Sequence, residues 1–453
     1  MEKKSLSNRL VVMGNLLEFF DLYLYIHLAS VISQKFFPAS FEGTAFFRGF
    51  TFCQLYLIAP IACAAFAYFG DKLGRKKIII STAMVMAVAS VCIVFLPTYE
   101  TWGENATILL LMLRLIQGVA LAGEPTAANL YLIESSSLLR DAVWYQQASW
   151  YVKIMGATES LGGLFALLLG YASLTLFKDY THGWRIPFIF CSIFVIFLFW
   201  IRTRLSESED YREATSNQNV NIFNEEGVSR FYRSILFQYQ NAFYWILLLL
   251  AYPIVFYLCF LQISPKVVSQ PSSPEDVLLY NAYVSLGTIV LSLLSAYFPL
   301  RYRWNLRTTT ACYVNVGCLF ALGAIVFLEN HASVYLIYIC QILMMSLINF
   351  GLVMPGLLKV FPVIGRYSLM GIGWGIARLI NFILVVIVIA AIEQAFGLYG
   401  CLILLYGIVT LGLYAVYAHV SYDTLGEASM RKTLQRTKTV EGEEVILISD
   451  YKY

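Results

Sequence analysis

The sequence predicts an all-α polytopic membrane protein, with twelve transmembrane helices in two six-helix halves. Three observations predict it. Of 453 residues, 59% are hydrophobic and only 13% are charged, with a mean hydropathy of +0.69; ordinary soluble domains carry about 25% charge. Apolar runs of roughly 20 residues, the length that crosses a bilayer, recur twelve times. A polar stretch over 205–233, rich in Glu207, Glu209, Asp210, Arg212, Glu225 and Arg230, divides those runs into six and six.

The spans fall at about 10–36, 46–69, 77–97, 106–133, 145–176 and 184–204, then 235–264, 276–299, 309–328, 332–358, 367–392 and 396–421. The domains are therefore an N-terminal bundle over 1–204, a linker over 205–233, a C-terminal bundle over 234–421 and a polar, solvated tail over 422–453. The first run contains Glu18 and Asp21, which the core of a cleavable signal does not. The nine cysteines, at 53, 63, 92, 191, 259, 312, 318, 340 and 401, all lie in apolar runs with no CxxC pair. They read as small buried hydrophobes with free thiols. The four histidines have no ligand spacing, so no metal is expected. A net charge of +3 implies no nucleic-acid partner. No nucleotide-binding loop or nucleophile triad is present, so no enzyme is expected.

Between spans 2 and 3 lies a polar island, Gly70-Asp71-Lys72-Leu73-Gly74-Arg75-Lys76-Lys77. Its glycines permit a tight turn, and its bases cannot sit in hydrocarbon, so it is expected to be a cytoplasmic loop. Most other bases fall on the same side: Lys3, Lys4, Arg9, Arg140, those of 202–233, Arg301, Arg303, Arg307, Lys359, Arg366 and those of the tail. The opposite side holds Lys35, Arg48, Lys178, Arg185 and Lys266. This asymmetry predicts both termini in the cytoplasm. The halves also repeat faintly. Arg301 to Arg307 follows span 8 as the island follows span 2, and Lys359 to Arg366 follows span 10 as Glu134 to Arg140 follows span 4. Two like halves around a midplane site are how many secondary transporters are built.

The island resembles the G-D-x-x-G-R-[KR] loop of the major facilitator superfamily. Further stretches resemble one branch of it, the metabolite:proton symporters, which include proline/betaine, α-ketoglutarate, shikimate and citrate carriers. Gly14-Asn15-Leu16-Leu17-Glu18-Phe19-Phe20-Asp21 is similar to that branch's G-N-x-x-E-[WF]-[YF]-D. Arg114-Leu115-Ile116-Gln117-Gly118 with Ala122-Gly123-Glu124 resembles R-x-x-Q-G followed by G-G-E. Trp184-Arg185-Ile186-Pro187-Phe188 matches W-R-I-P-F, and Phe361-Pro362 with Arg366-Tyr367 resembles F-P-x-x-x-R-Y. The chain departs from the pattern before the island, where Ala59-Pro60-Ile61-Ala62-Cys63 and Ala67 replace R-P-L-G-G-x-x-x-G, so a looser helix contact is expected there. The second-half loop lacks the Asp-Gly-Arg pattern, and Lys359 stands where relatives carry an acid.

Ionisable residues inside spans cost about 2.5–3.5 kcal/mol each on the insertion scale, so they default to function or pairing. The first half holds Glu18, Asp21, Arg114, Glu124, Lys153 and Glu159, and the second adds Arg378. Four acids against three bases leave one carboxylate over. Burial and like charge both favour a protonated carboxyl, so proton coupling is assigned to Glu18 and Asp21, with Glu124 next. Interhelix salt bridges are the alternative for all of these charges. Arg378, alone in its half, either holds a substrate carboxylate or pairs across the halves. Substrate contacts are expected from Arg114, Gln117, Lys153, Glu159, Tyr257, Gln341, Asn349, Trp374 and Arg378. Tyr25, Tyr252 and Gln262 are further wall candidates, although aromatic residues make up 16% of the chain and any one tyrosine can be packing. Gly70, Asp71, Gly74 and Arg75, with Glu134 and Arg140, are expected to form a cytoplasmic gate, or else a plain solvated loop.

The resemblance implies a proton-coupled symporter importing a small carboxylate-bearing or zwitterionic metabolite by alternating access: an organic acid, amino acid, betaine or polycarboxylate siderophore. It implies no cofactor beyond the proton gradient. The expected partners are a small-molecule substrate, protons and the lipid bilayer, for a monomer in the inner membrane of a bacterium. An antiporter exporting a metabolite or drug, and a transporter-like nutrient sensor, remain open alternatives.

Overall fold

The computed structural model describes residues 2–38, 50, 54–73, 75–136, 142–178, 180, 182–204, 239–268, 273–361 and 366–437; at 2–8, 30, 67–73, 75, 124–125, 133–136, 142–147, 239, 358–360 and 419–437 only the backbone is described. Every regular element among these residues is helical. Span 1 is Glu2–His27 continued by Ala29–Phe36, span 2 is Ala59–Leu73 after a short turn at Gln54–Tyr56, and span 3 is Arg75–Phe95. Spans 4, 5 and 6 are Glu104–Ser136, Ala142–Leu176 and Ile186–Arg202. The expected linker lies outside the described residues. Span 7 is Tyr239–Phe256 extended by a π-helical Tyr257–Ile263, span 8 is Pro274–Arg301 and span 9 is Leu306–Glu329. Span 10 is Val334–Leu347 with Met354–Val360, span 11 is Arg366–Ile383 with a π-helical Leu384–Ile389, and span 12 follows within Ala390–Thr437. Spans 11 and 12 meet at Gly397, whose φ of 64° no residue with a Cβ adopts cheaply.

Two boundaries differ from expectation. The island is mostly helix rather than loop, since span 2 runs to Leu73 and span 3 begins at Arg75. The helix of span 12 continues past 421 to Thr437, so the first part of the tail is helical. Local chemistry explains the second-half starts. Ser273 accepts from the Asp276 N–H ahead of Pro274 at the first helical position, and Asn305 accepts from the N–H groups of Arg307 and Thr308.

Each span turns one face inward and one to the lipid. Span 6 buries Cys191, Val195 and Leu198 while Ile193, Phe197 and Trp200 are exposed. Water cannot satisfy backbone groups in hydrocarbon, so the helices close their own ladders, and small residues let them approach. A Cβ at Gly162 of span 5 would overlap the Leu16 carbonyl of span 1. Between the halves, span 5 packs on span 8 and span 2 on span 11. The looser contact expected at Ala59 to Ala67 is not seen where it is described: a Cβ on Gly375 would lie 3.0 Å from the Ala59 carbonyl and 3.0 Å from Cys63 Cβ.

Span 7 carries an internal proline. Pro253 has no N–H to offer the Leu249 carbonyl one turn earlier. Asn381 of span 11, wholly buried, donates its side-chain amide to that carbonyl at 3.5 Å.

Candidate substrate cavity and buried charge networks

A cavity of about 180 Å³ lies between the two sets of six spans. Its polar lining comes from both: Lys153, Glu159 and Ser160 of span 5 and Asn129 of span 4 face Tyr252 of span 7, Asn349 of span 10 and Arg378 of span 11. Tyr56, Trp245 and Trp374 supply aromatic walls.

Three of these groups are charged. Arg378 lies with its guanidinium carbon 4.9 Å from the Tyr56 ring centre and 4.6 Å from that of Trp374. Two aromatic faces of this kind hold a planar cation in place without neutralising it. Its Nε is sealed from solvent and donates to nothing, and no ion pair to it forms among the described residues. Lys153, 4% exposed, donates to Asn349 Oδ1 at 3.3 Å, a contact that crosses from one half to the other. Asn349 Oδ1 also accepts from the Gly351 N–H at 2.7 Å. Glu159 lines the same cavity and takes no hydrogen bond from a described residue.

Two further networks sit inside the first half, away from the cavity. Asp21, 4% exposed, accepts from Ser90 Oγ at 3.0 Å, Gln117 Nε2 at 2.9 Å and Cys191 Sγ at 3.0 Å. Gln117 Oε1 in turn accepts from Arg114 Nη1 at 2.7 Å, and the Arg114 guanidinium lies 3.8 Å from the Tyr25 ring centre. Glu18 is separate. Arg202 Nη2 stands 4.0 Å from Glu18 Oε2, and both side chains are 1% exposed. Neither Glu18 oxygen accepts a hydrogen bond. Gly14 makes room for this arginine, since a Cβ there would lie 2.6 Å from Arg202 Nη2.

The halves touch at both ends of the cavity. On the side of the termini, Tyr367 Oη donates to the Gly123 carbonyl at 2.8 Å and Ser149 Oγ to the Leu352 carbonyl at 3.0 Å. On the far side, Tyr23 stacks on Phe256 with ring centres 5.1 Å apart, and His27 meets Phe260 edge-on at 5.7 Å.

A family model described as Major Facilitator Superfamily matches residues 12–380. The chain belongs to this superfamily. Among curated relatives, the citrate-proton symporter of Klebsiella pneumoniae is 28% identical over 379 residues, 81% of this chain and 80% of that one. The alpha-ketoglutarate permease of Escherichia coli (strain K12) is 27% identical, covering 81% and 82%. The E. coli shikimate transporter is 33% identical over 204 residues, 44% of this chain and 45% of that one. Among solved structures, the proton:xylose symporter XylE superposes with a TM-score of 0.73 at 13% identity, covering 92% of this chain and 95% of that one. The fold is therefore that of the superfamily, as the island and the W-R-I-P-F stretch implied, and the protein is a multi-pass membrane transporter rather than an enzyme.

Of the substrate contacts expected in this transporter, Lys153, Glu159, Asn349, Trp374 and Arg378 line the cavity. Arg114 and Gln117 do not: they are bound up with Asp21 inside the first half. Tyr257 and Gln341 also face elsewhere. Gln341 donates to the Cys259 carbonyl and Ser264 Oγ at 3.0 and 3.1 Å, and Tyr257 Oη accepts from Gln262 at 2.9 Å. These bonds knit the π-helical part of span 7 to its neighbours. The side chains of Glu124, Asp71, Arg75 and Glu134, and all of Gly74 and Arg140, lie outside the described residues; Gly70 is seen only as helical backbone.

The charge tally needs correction. Arg202, counted with the linker bases, is a fully buried fourth base, paired with Glu18. The signal was present, because Arg202 falls inside the apolar run 184–204. Among the described residues neither Lys153 nor Glu159 forms the interhelix salt bridge offered as the alternative. Tyr56, Ser160, Asn129 and Trp245 were missed, and in a chain with 31 tyrosines and 8 tryptophans nothing marks these aromatics out.

Proposed function

We propose that this transporter is a proton-coupled symporter taking up a small carboxylate-bearing metabolite across the bacterial inner membrane, with both termini in the cytoplasm. One observation carries this reading: the cavity holds a cation from each half, Lys153 and Arg378, against a single described carboxylate, Glu159. A buried unpaired cation is costly, and a substrate carboxylate is the anion that relieves it. Arg378 is suited to the task, since its planar fork matches a carboxylate. Citrate, α-ketoglutarate, shikimate, proline and betaine, named in relatives, all carry that group. Drawing Lys153 and Arg378 toward one ligand closes the halves around it, and rocking then presents the site to the other side.

The test is uptake of labelled citrate, α-ketoglutarate, shikimate, proline and glycine betaine into proteoliposomes, with and without an inward proton gradient. Wild type should concentrate at least one of these under the gradient. Arg378→Gln should lower that uptake at least about tenfold, from the loss of a charged hydrogen bond. Efflux driven by the gradient, or binding without flux, would replace the symporter by an exchanger or a sensor.

A further inference from the structure

Three acids inside the apolar runs of the first half are described, Glu18 and Asp21 buried and Glu159 half-buried, and their surroundings differ in kind. Glu18 is sealed: both oxygens are out of contact with solvent and Arg202 stands beside them. Asp21 is held by three donors, Ser90 and Cys191 on one oxygen and Gln117 on the other. Glu159 is open. It lines the cavity, takes no hydrogen bond from a described residue, and its oxygens are not among the sealed ones.

The charges around Glu159 are few. Arg378 of span 11 acts on it from the other half, and Glu18 of span 1 from within its own. Span 1 also presents Tyr23, span 7 presents Tyr252, and Tyr56 precedes span 2, all phenols. Spans 8 and 10 bring Thr288, Ser292 and Asn349, and span 4 brings Thr126 and Asn129. Lys153 lies about 9 Å away along the same helix, six residues at ~1.5 Å each. Arg378 is thus the cation that Glu159 and an incoming anion both seek.

We propose that Glu159 is the residue at which proton and substrate meet, its carboxylate and the substrate carboxylate competing for Arg378 in the cavity. This rests on the symporter reading of the same site. A proton from the water on the loading side bonds to a Glu159 oxygen and makes it a neutral acid. Arg378 keeps its own charge and takes the substrate carboxylate. On the other side substrate leaves, the Glu159 O–H bond breaks to water, and the carboxylate faces Arg378 again. Charge balance supports the scheme. The empty cavity with Glu159 ionised carries Lys153 and Arg378 against one carboxylate. The loaded cavity with Glu159 protonated carries the same two cations against one carboxylate, now the substrate's. The two states that must rock therefore have the same net charge for a monoanion. A proton without a substrate leaves both cations with no carboxylate in a site of low dielectric, and that state is disfavoured by its charge; a substrate without a proton meets an ionised Glu159 that still holds Arg378.

The test uses Glu159→Gln, Glu159→Asp and wild type in proteoliposomes, with the same five labelled acids and amino acids as probes. Substrate exchange without a gradient reports a folded, rocking transporter, and accumulation under an inward proton gradient reports coupling. Glu159→Gln should lose at least about tenfold more gradient-driven accumulation than exchange. Its KM should no longer vary with outer pH, whereas the wild-type KM falls as that pH falls, since protonation of Glu159 frees Arg378. If Glu159→Gln loses exchange as well, Glu159→Asp must restore both activities; a folded Asp variant that accumulates nothing overturns the assignment. So does Glu159→Gln concentrating substrate with a wild-type pH dependence. Wild type failing to concentrate any probe under the gradient overturns the symporter reading itself, which is a separate result.

Discussion

Arg202 and Glu18 illustrate how a single pair can matter to a membrane protein without touching substrate. Their separation is 4.0 Å and neither Glu18 oxygen accepts a hydrogen bond, so the pair is held by charge more than by geometry. Removing one partner of a buried pair leaves a bare charge and costs about 3–5 kcal/mol, while replacing both by apolar residues can be neutral. Arg202→Ala should therefore lower the thermal midpoint in detergent far more than Glu18→Leu with Arg202→Met. Equal midpoints for the single and double variants would mean that Arg202 acts through packing alone. Cys191 belongs to the same scale. Sequence placed it among small buried hydrophobes with free thiols, yet its Sγ donates to Asp21 at 3.0 Å, which no spacing rule reveals because the two residues lie on different spans.

At the scale of elements, the break in span 7 is the feature that required a second helix to repair it. Pro253 withholds an N–H, and Asn381 of span 11 supplies one to the Leu249 carbonyl. Asn381→Ala should cost about 1 kcal/mol of stability, the usual worth of such a bond. In a Pro253→Ala background, where the main chain can satisfy Leu249 itself, the same substitution should cost less, and chemical denaturation of the four proteins in micelles measures the difference. An identical cost in both backgrounds would show that Asn381 serves some other partner. Spans were legible because hydropathy reports bilayer thickness directly. Their internal breaks were not: the turn at Leu28 and the π-helical stretches of spans 7 and 11 have no composition that separates them from plain helix.

For the molecule as a whole, the motifs identified the superfamily and hydropathy the twelve spans, but the site was legible only in part. Lys153, Glu159 and Arg378 stood out because charges in apolar runs are expensive, and all three line the cavity. Arg114 was equally conspicuous and lies elsewhere, held inside the first half by Gln117 and the Tyr25 ring. Contacts between halves, such as Lys153 with Asn349 across 196 positions, follow from the docking of two bundles and leave no trace in either local pattern.

The two seals of the cavity differ in chemistry, and the difference makes the resting pose sensitive to temperature. Opening the side of the termini breaks directional bonds, from Tyr367 to Gly123 and from Ser149 to Leu352. Opening the far side wets the stacked rings of Tyr23, Phe256 and Phe260. Association of apolar surface weakens on cooling, so cold should loosen the far seal first and tilt the population toward the pose open on that far side. A cysteine placed at Ser292 in the cavity, labelled by an impermeant maleimide from either face and read by mass spectrometry, reports the balance. Between about 35 °C and about 5 °C, labelling from the far face should gain on labelling from the terminus face; a constant ratio would mean that both seals draw on the same forces.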